Sequence, residues 1–241
     1  MKINPFFFVY QWLIAYPLFL AITIIVALET IIFSPIFPNN AISYAPARWW
    51  GKIFCFLFFI KVEKEGFENI DTKQSYVVVA NHQSIIDVFV IYGWMPSIFK
   101  WMMKAELRKI PFVGRACEAA GHIFIDRKSP IAAKNSIEKA KKKLVEGVTL
   151  VVFPEGTRTE DGKMGKFKKG AFRIATDLQL PVLPVTLSGF YNRMSRKTPI
   201  VTPGRVKITI HKPIDVKQYT DNTNELINTT WNVINDSLTD Y

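Results

Sequence analysis

The side chains best suited to acid–base chemistry lie in residues 77–88, which read VVVANHQSIIDV. We predict a strand that ends at Ala80 and a helix that begins near Ser84, with His82 in the turn between them. On one continuous helix His82 and Asp87 would diverge by about 140°. With His82 in the turn and Asp87 in the first helical turn, the carboxylate can hold one ring nitrogen and leave the other as a base.

A structural interpretation of the same residues stays open. Ser84 and Asp87 have the spacing of a capping box, so Asp87 could simply stabilise the positive end of a helix. No serine of the chain lies in a Gly-x-Ser-x-Gly elbow, so the sequence gives no support for a serine nucleophile.

Three basic residues each follow a strand-like run. Arg158 ends the stretch TLVVFPEGTR, in which Gly156 permits a tight turn after the strand. Arg127 ends IFIDR, and Lys104 follows a strand-like run at residues 98–102. An arginine fork and a lysine at one rim could bind a phosphate. The alternatives are that Arg127 pairs with a carboxylate such as Asp126 and that Lys104 is only solvated.

The elements that would position these side chains alternate between strands and helices. The best helical pattern is Pro130–Glu146, which has Ser129 as a candidate N-cap and Gly147 as a stop signal. This alternation predicts an α/β fold with a largely parallel central sheet flanked by helices. The predicted strands are Tyr76–Ala80, His122–Ile125, Thr149–Phe153, Val182–Leu187 and Val206–Ile210.

The N-terminal segment is apolar. Ile3–Leu28 has no charged residue, and as a helix it would be roughly 39 Å long against a bilayer core of about 30 Å. Pro17 should kink or split that helix. A second apolar block at residues 53–60 is too short to cross. Either a single spanning anchor or a two-helix hairpin in one leaflet fits this pattern.

We expect this segment to be a retained anchor, since it is longer than a signal peptide and no small-residue cleavage site closes it. Arg48, Trp49, Trp50 and Lys52 are typical of the membrane interface. Charged residues become frequent from Lys61. We therefore divide the chain into a membrane-associated segment, residues 1–60, and an α/β domain, residues 61–241.

Composition narrows the class of protein. Of 241 residues, 49% are hydrophobic and 21% charged, which excludes intrinsic disorder. With two cysteines there is no disulfide framework or Cys-based metal motif. The net charge is +11, and residues 100–217 alone carry +15. Such a stretch attracts phosphates of nucleic acid or anionic lipid, or an acidic carrier protein. A plain solvated surface is the alternative.

Together, several sequence blocks between residues 81 and 187 resemble the glycerophospholipid acyltransferases, most closely the bacterial 1-acylglycerol-3-phosphate acyltransferases. The Asn-His-x4-Asp and Phe-Pro-Glu-Gly-Thr-Arg blocks are the specific ones, and their order and spacing agree with the family. In chain order the blocks are NHQSIID at 81–87, KAEL at 104–107, PFVG at 111–114, GHIFIDR at 121–127, FPEGTR at 153–158 and VLPV at 182–185.

The resemblance implies a mechanism. His82 would take the proton from the free sn-2 hydroxyl of 1-acyl-glycerol-3-phosphate, and Asp87 would orient His82. The oxygen would attack an acyl thioester directly, giving phosphatidic acid without an acyl-enzyme. The resemblance implies no metal or prosthetic group. It also implies a long apolar groove for the acyl chain and favours the embedded two-helix arrangement of residues 1–60.

The resemblance also implies a binding site and partners. Residues of the third block would bind the acceptor: Glu155, Gly156, Thr157 and Arg158. Arg127 and Lys104 would bind its phosphate. The donor would be acyl-CoA or acyl carrier protein, and membrane lipids rather than nucleic acid would be the other partners. Because almost all basic residues follow the anchor, we expect the catalytic domain on the cytoplasmic side of the inner membrane.

Two other functions stay open. One is acylation of another lysolipid, such as lysophosphatidylglycerol or an amino-acid lysolipid. The other is a non-enzymatic basic protein that binds membrane or nucleic acid, for which an intact His-Asp pair would have no purpose. Binding of that second kind should weaken steeply with salt.

Overall fold

Two long helices begin the chain in the computed structural model, which describes residues 4–125, 138, 144, 148–219 and 222–239. Helix α1 (Pro5–Tyr10) continues through a π-helical turn (Gln11–Ala15) into α2 (Tyr16–Ile36). Pro17 lies at the start of α2. Because proline has no N–H to donate, the predicted interruption takes the form of a widened π turn, and the helix continues through it.

Helix α3 (Ala41–Leu57) returns along α2 after a short turn at residues 37–40. The contacts run in antiparallel order. The Tyr10 hydroxyl donates to the Leu57 carbonyl at 3.1 Å, and the Trp50 indole N–H donates to Thr23 Oγ1 at 2.9 Å. Residues 5–57 therefore form a helical hairpin, and the second helix is longer than the predicted apolar block.

A seven-stranded sheet lies behind the hairpin, in the order β1-β7-β6-β2-β5-β3-β4. Neighbouring strands are parallel except β6 and β7, which are antiparallel. The fold class predicted from the sequence is therefore confirmed. The strands are β1 (Ile60–Glu65), β2 (Val77–Ala80), β3 (Phe99–Lys104), β4 (Ile123–Ile125), β5 (Thr149–Val152), β6 (Val182–Ser188) and β7 (Gly204–Ile210).

Helices cover both faces of the sheet and bury two hydrophobic cores. The remaining helices are α4 (Ile86–Trp94), α5 (Val113–Ala119), α6 (Gly170–Leu178), α7 (Phe190–Arg193) and α8 (Thr223–Asp236). One core contains residues of the hairpin and of α4, and the other contains residues of α6 and α8 and the side chain of Leu144. The predicted helix Pro130–Glu146 lies outside the described residues except at residues 138 and 144.

The hairpin is joined to the α/β part by a close helix contact. A Cβ on Gly51 would lie 2.2 Å from the carbonyl oxygen of Phe89, so α3 and α4 pack main chain against main chain. Beside this contact the rings of Phe54 and Phe89 stack with centroids 3.8 Å apart. The first core therefore runs across the expected division between residues 60 and 61.

The predicted membrane-interface residues have different environments. Trp49 is 61% exposed, and the Lys52 ammonium lies over its ring. Trp50 packs inside the hairpin, and the Arg48 guanidinium donates to the carbonyl of Pro96 at 2.9 Å. Trp49 and Lys52 are thus the two that face outward, whereas Trp50 and Arg48 hold the hairpin to its neighbours.

Candidate active site

The site lies at the carboxyl ends of β2 and β5. These strands are parallel neighbours, with Val79 opposite Val152, so the segments that follow them leave the sheet side by side. Residues 81–87 come from β2 and residues 153–158 from β5. The topology therefore brings the His-Asp pair and the third sequence block to one rim, as open α/β sheets do with their ligand sites.

His82 and Asp87 form a hydrogen-bonded pair. His82 Nδ1 lies 2.8 Å from Asp87 Oδ2, with the imidazole 16% exposed and the carboxylate fully buried. Because a carboxylate accepts, Nδ1 carries the proton and Nε2 is left with a free lone pair. Nε2 can then take a proton from a bound hydroxyl group.

Asp87 also stabilises the turn, as the structural interpretation of the sequence predicted. Its Oδ2 accepts the main-chain N–H of Gln83 at 2.7 Å and of Ser84 at 2.9 Å. Asp87 lies in the first turn of α4, where the helix dipole favours a negative charge. Ser84 does not complete a capping box, because its hydroxyl accepts from Ile86 N and donates to the Met194 carbonyl. That hydroxyl is occupied and is not poised as a nucleophile.

Glu155 supports the main chain of His82. One carboxylate oxygen accepts the His82 N–H at 2.7 Å, and the other accepts the Gly165 N–H at 2.7 Å. The side chain is 8% exposed. Burial raises the pKa of the Glu155 carboxyl and outweighs the two main-chain hydrogen bonds, which lower it. Both oxygens are used within the protein, so these contacts do not support the predicted role of Glu155 in binding the acceptor.

Two further contacts fix the position of His82. Its ring stacks on Phe153 with centroids 3.9 Å apart and planes within 5°. Asn81 exchanges two hydrogen bonds with the main chain of Leu187 on β6, at 2.9 and 2.8 Å. The imidazole is therefore held by an apolar face, a carboxylate and a fixed turn.

A cavity of about 730 Å³ extends from His82. Its size is in the range of small-ligand pockets. Its walls are mostly apolar and include α2 with Val26 and Ala27, β3 with Trp101 and Met102, and α5 with Ala116. A mostly apolar cavity, of the kind that the family resemblance implies for the acyl chain, thus lies between the hairpin and the sheet.

Two polar side chains in the cavity wall, His122 and Lys100, have partners inside the protein. His122 Nδ1 accepts the main-chain N–H of Trp101 at 3.1 Å, so neutral His122 carries its proton on Nε2 and donates it to the Tyr92 hydroxyl at 2.7 Å. The Lys100 ammonium donates to the Ala120 carbonyl at 2.6 Å. The cavity wall can therefore hold an apolar chain with these groups already satisfied.

Three cationic residues line the same cavity as His82. They are Lys104, Arg158 and Arg196, and Gly156 and Thr157 line it as well. Gly156 has φ 79°, the left-handed conformation that the predicted tight turn requires. Among the described residues, no hydrogen bond or ion pair engages the Arg158 guanidinium. Arg127 lies outside the described residues.

Sequence reasoning missed several residues of the site. Arg196 is distant in sequence, and its guanidinium lies 3.2 Å from both Thr157 Oγ1 and Glu160 Oε1. Phe153 is predicted as the end of a strand and the first residue of the FPEGTR block, but its stacking on His82 is not predicted. The contribution of α2 to the cavity had no signal in the sequence, because an apolar anchor and an apolar cavity wall have the same composition.

The fold and this site define a member of the acyltransferase family. A model of that family, described as "Acyltransferase", matches residues 61–188. The chain therefore belongs to the acyltransferase family, as its sequence blocks predicted.

Three relatives illustrate the relationship. A crystal structure of the 1-acyl-sn-glycerophosphate (LPA) acyltransferase PlsC from Thermotoga maritima is 32% identical with a TM-score of 0.77, covering 97% of this chain and 93% of that one. The chloroplastic 1-acyl-sn-glycerol-3-phosphate acyltransferase LPAT1 of Arabidopsis thaliana is 35% identical over 70% of this chain and 47% of its own length. The alpha 1-acyl-sn-glycerol-3-phosphate acyltransferase of Mus musculus is 37% identical over 68% and 59%. This chain thus spans about half the length of these curated relatives.

Proposed function

We propose that this protein transfers a fatty acyl group from an acyl thioester to the free sn-2 hydroxyl of 1-acyl-glycerol-3-phosphate, giving phosphatidic acid. The observation that carries the proposal is the hydrogen-bonded His82–Asp87 pair, whose imidazole lines a mostly apolar cavity. The relatives named above have this activity in their names, and the sequence blocks of the present chain resemble those of the same family.

In the proposed reaction His82 Nε2 takes the proton of the acceptor hydroxyl as its oxygen bonds to the thioester carbonyl carbon. Asp87 stabilises the imidazolium that forms. The carbon–sulfur bond then breaks, and the imidazolium returns the proton to the leaving thiolate, so His82 ends the cycle neutral. General-base help of this kind contributes about 10²–10⁴-fold to the rate. The occupied Ser84 hydroxyl is consistent with direct transfer.

The acceptor phosphate would bind at the cationic end of the cavity. Arg158 is half-buried and has a guanidinium without an internal partner among the described residues, so it can present a two-point fork to phosphate oxygens. Lys104 is exposed and adds a point charge. The predicted role of Arg127 in the same site stays a prediction.

We propose that Glu155 positions the catalytic base. Its hydrogen bond to the His82 N–H holds the turn against the loop that begins at Gly165. Gly156 and Thr157 lie at the cavity wall, where their main chain can approach the acceptor headgroup.

We also propose that residues 1–60 hold the enzyme at a membrane, where its lipid substrates are. The helix Pro5–Ile36 is long and apolar enough to cross a bilayer, with a mean hydropathy of 2.3 over its most apolar window and 17% of that window buried. The hairpin also fits attachment to one leaflet. The catalytic part would face the cytoplasm, which supplies acyl-CoA or acyl carrier protein.

Acyl transfer by purified wild-type and His82→Ala protein tests this function. The acceptors should be 1-acyl-glycerol-3-phosphate, lysophosphatidylglycerol and an amino-acid lysolipid, each with both donors. We expect phosphatidic acid from the wild type alone. A His82-dependent product only with another acceptor would support the mechanism but show that the acceptor is a different lysolipid. No His82-dependent product from any donor and acceptor pair would refute the proposal.

A further inference from the structure

A second apolar surface lies away from the N-terminal helices. Among the described residues beyond residue 59, large hydrophobic side chains are exposed at four positions: Ile85, Leu107, Ile110 and Phe112. The last three fall within six residues that lead from β3 into α5, and we call this segment the 107–112 turn. Single exposed apolar residues are ordinary, but three in one short turn beside a cavity require an explanation.

The shape of the 107–112 turn is fixed by its main chain. Gly114 N donates to the Ile110 carbonyl at 2.8 Å, and a Cβ on Gly114 would lie 2.0 Å from the carbonyl oxygen of Arg108. Phe112 has φ 59°, a conformation that residues with a Cβ rarely adopt. The fold thus holds the Phe112 ring outward, 48% exposed, with a strained main chain.

Basic side chains flank the turn. Lys104, Lys109 and Arg115 are exposed, and neither Lys109 nor Arg115 has an ion-pair partner among the described residues. Arg108 pairs with Glu118, so that charge is balanced. These basic residues flank the apolar tip in sequence, and Glu106 is the one exposed acidic residue between Lys104 and Arg115. Such a tip matches the anionic headgroups and upper acyl chains of a bilayer surface.

The turn also continues the surface proposed to contact the membrane. Helix α5, which follows it, packs against α2, and α2 exposes Leu28 and Ile32. Leu107 and Ile110 themselves line the cavity, and so do Val26 and Ala27 of α2. The 107–112 turn and α2 therefore both form part of the cavity wall.

We propose that the 107–112 turn is a second membrane-inserting element, which sits in the bilayer interface beside α2 and directs the cavity toward the lipid phase. A lysolipid acceptor could then enter from the bilayer without passing through water. The inference builds on the proposed membrane attachment of residues 1–60. Its occupant is the lipid surface, because the cationic rim and the continuity with α2 both favour lipid over a protein partner.

Site-specific fluorescence tests the insertion. An environment-sensitive fluorescent amino acid would replace Phe112, Ile32 on α2, or Gln218, which is exposed beside the helices on the opposite sheet face. The full-length protein would be reconstituted in phosphatidylglycerol vesicles with and without brominated acyl chains. We expect the probe at 112 to be quenched by the brominated lipid and shielded from aqueous iodide, as at 32, with the opposite result at 218.

The outcomes distinguish insertion of the 107–112 turn from membrane attachment by residues 1–60. If the probe at 32 is quenched by lipid while the probe at 112 behaves like that at 218, the turn lies in water and the inference is wrong, although the anchor stands. If both 32 and 112 stay accessible to iodide, membrane attachment itself is refuted.

Kinetics provide a second test with a conservative control. Phe112→Ser should raise the KM for lysolipid presented in vesicles several-fold and leave kcat unchanged, while detergent-dispersed substrate should show no difference. Phe112→Trp keeps a large interfacial ring and should restore the vesicle KM. A wild-type vesicle KM for Phe112→Ser, or an equal loss with both substrate forms, would contradict the insertion.

Discussion

The Glu155→Gln substitution tests whether Glu155 positions His82, the proposed catalytic base, without changing His82 itself. Glu155 accepts two main-chain N–H groups, from His82 and Gly165, each at 2.7 Å. Glutamine has nearly the same shape but offers one acceptor oxygen and turns an NH₂ group toward the other N–H. The main-chain N–H of either His82 or Gly165 then faces the NH₂ group of the glutamine and has no acceptor.

The size of the effect follows from these contacts. A hydrogen bond to a charged group contributes about 1.5–3 kcal/mol, and an unmet buried donor costs a similar amount. We therefore expect the free energy of unfolding to fall by about 2–3 kcal/mol. If most of that loss displaces His82 in the transition state, kcat falls about ten- to a hundredfold, since each 1.4 kcal/mol is tenfold.

Steady-state acyl transfer and denaturant unfolding in detergent would measure both effects. Glu68→Gln is the matched control, because it makes the same chemical change at an exposed carboxylate in the short helix after β1. It should leave kcat and stability at wild-type values. Wild-type kcat and stability in Glu155→Gln would refute the positioning role.

The pH dependence supplies an independent check on Glu155. Because burial raises its pKa in the folded protein, ionisation is less favourable there than in the unfolded chain. The stability that wild type gains relative to Glu155→Gln is then fully present below the ordinary carboxyl pKa and declines as pH rises through the raised value. Unfolding between about pH 4 and pH 7 should show this gap shrinking, and a gap that widens would contradict the shift.

Three further substitutions have distinct expected results. Asp87→Asn keeps the shape of the side chain but removes the negative charge beside the imidazolium. We therefore expect kcat to fall about 10²–10⁴-fold with little change in KM. An unaffected kcat would show that Asp87 does not assist His82. Arg158→Ala should raise the KM for 1-acyl-glycerol-3-phosphate about ten- to a hundredfold, from the loss of a charged hydrogen bond, while Arg158→Lys loses less; an unchanged KM would exclude the phosphate contact. Gly51→Ala places a methyl group 2.2 Å from the carbonyl oxygen of Phe89 and should lower the free energy of unfolding by about 1–3 kcal/mol. An unchanged free energy of unfolding would show that α3 and α4 can move apart at no cost.

Much of the central sheet could be predicted from the sequence because its buried strands are short apolar runs. The expected strand Thr149–Phe153 corresponds to Thr149–Val152, and Val182–Leu187 corresponds to Val182–Ser188. The first strand, Ile60–Glu65, was missed because it lies at the sheet edge and reads IKVEKE, which has only two apolar residues and four charged ones.

The site could be predicted only where its residues are close in sequence or follow neighbouring strands. The turn geometry placed His82 against Asp87 correctly, since one residue lies before the helix and the other in its first turn. The contact of Glu155 with the His82 main chain could not be predicted, because a carboxylate that binds main-chain N–H groups has no distinguishing pattern. The same limit applies to Arg196, whose place depends on how the chain after α7 folds back over the site.

The most direct test of the central claim is phosphatidic acid formation by purified protein in vesicles, with wild type and His82→Ala compared at equal amounts of folded protein. Labelled acyl-CoA or acyl carrier protein would be the donor, and 1-acyl-glycerol-3-phosphate the acceptor. We expect labelled phosphatidic acid from the wild type and a loss of at least about 10²-fold in the variant, with no labelled acyl-enzyme in either. Equal product from both proteins would show that His82 is not the base and would contradict the account.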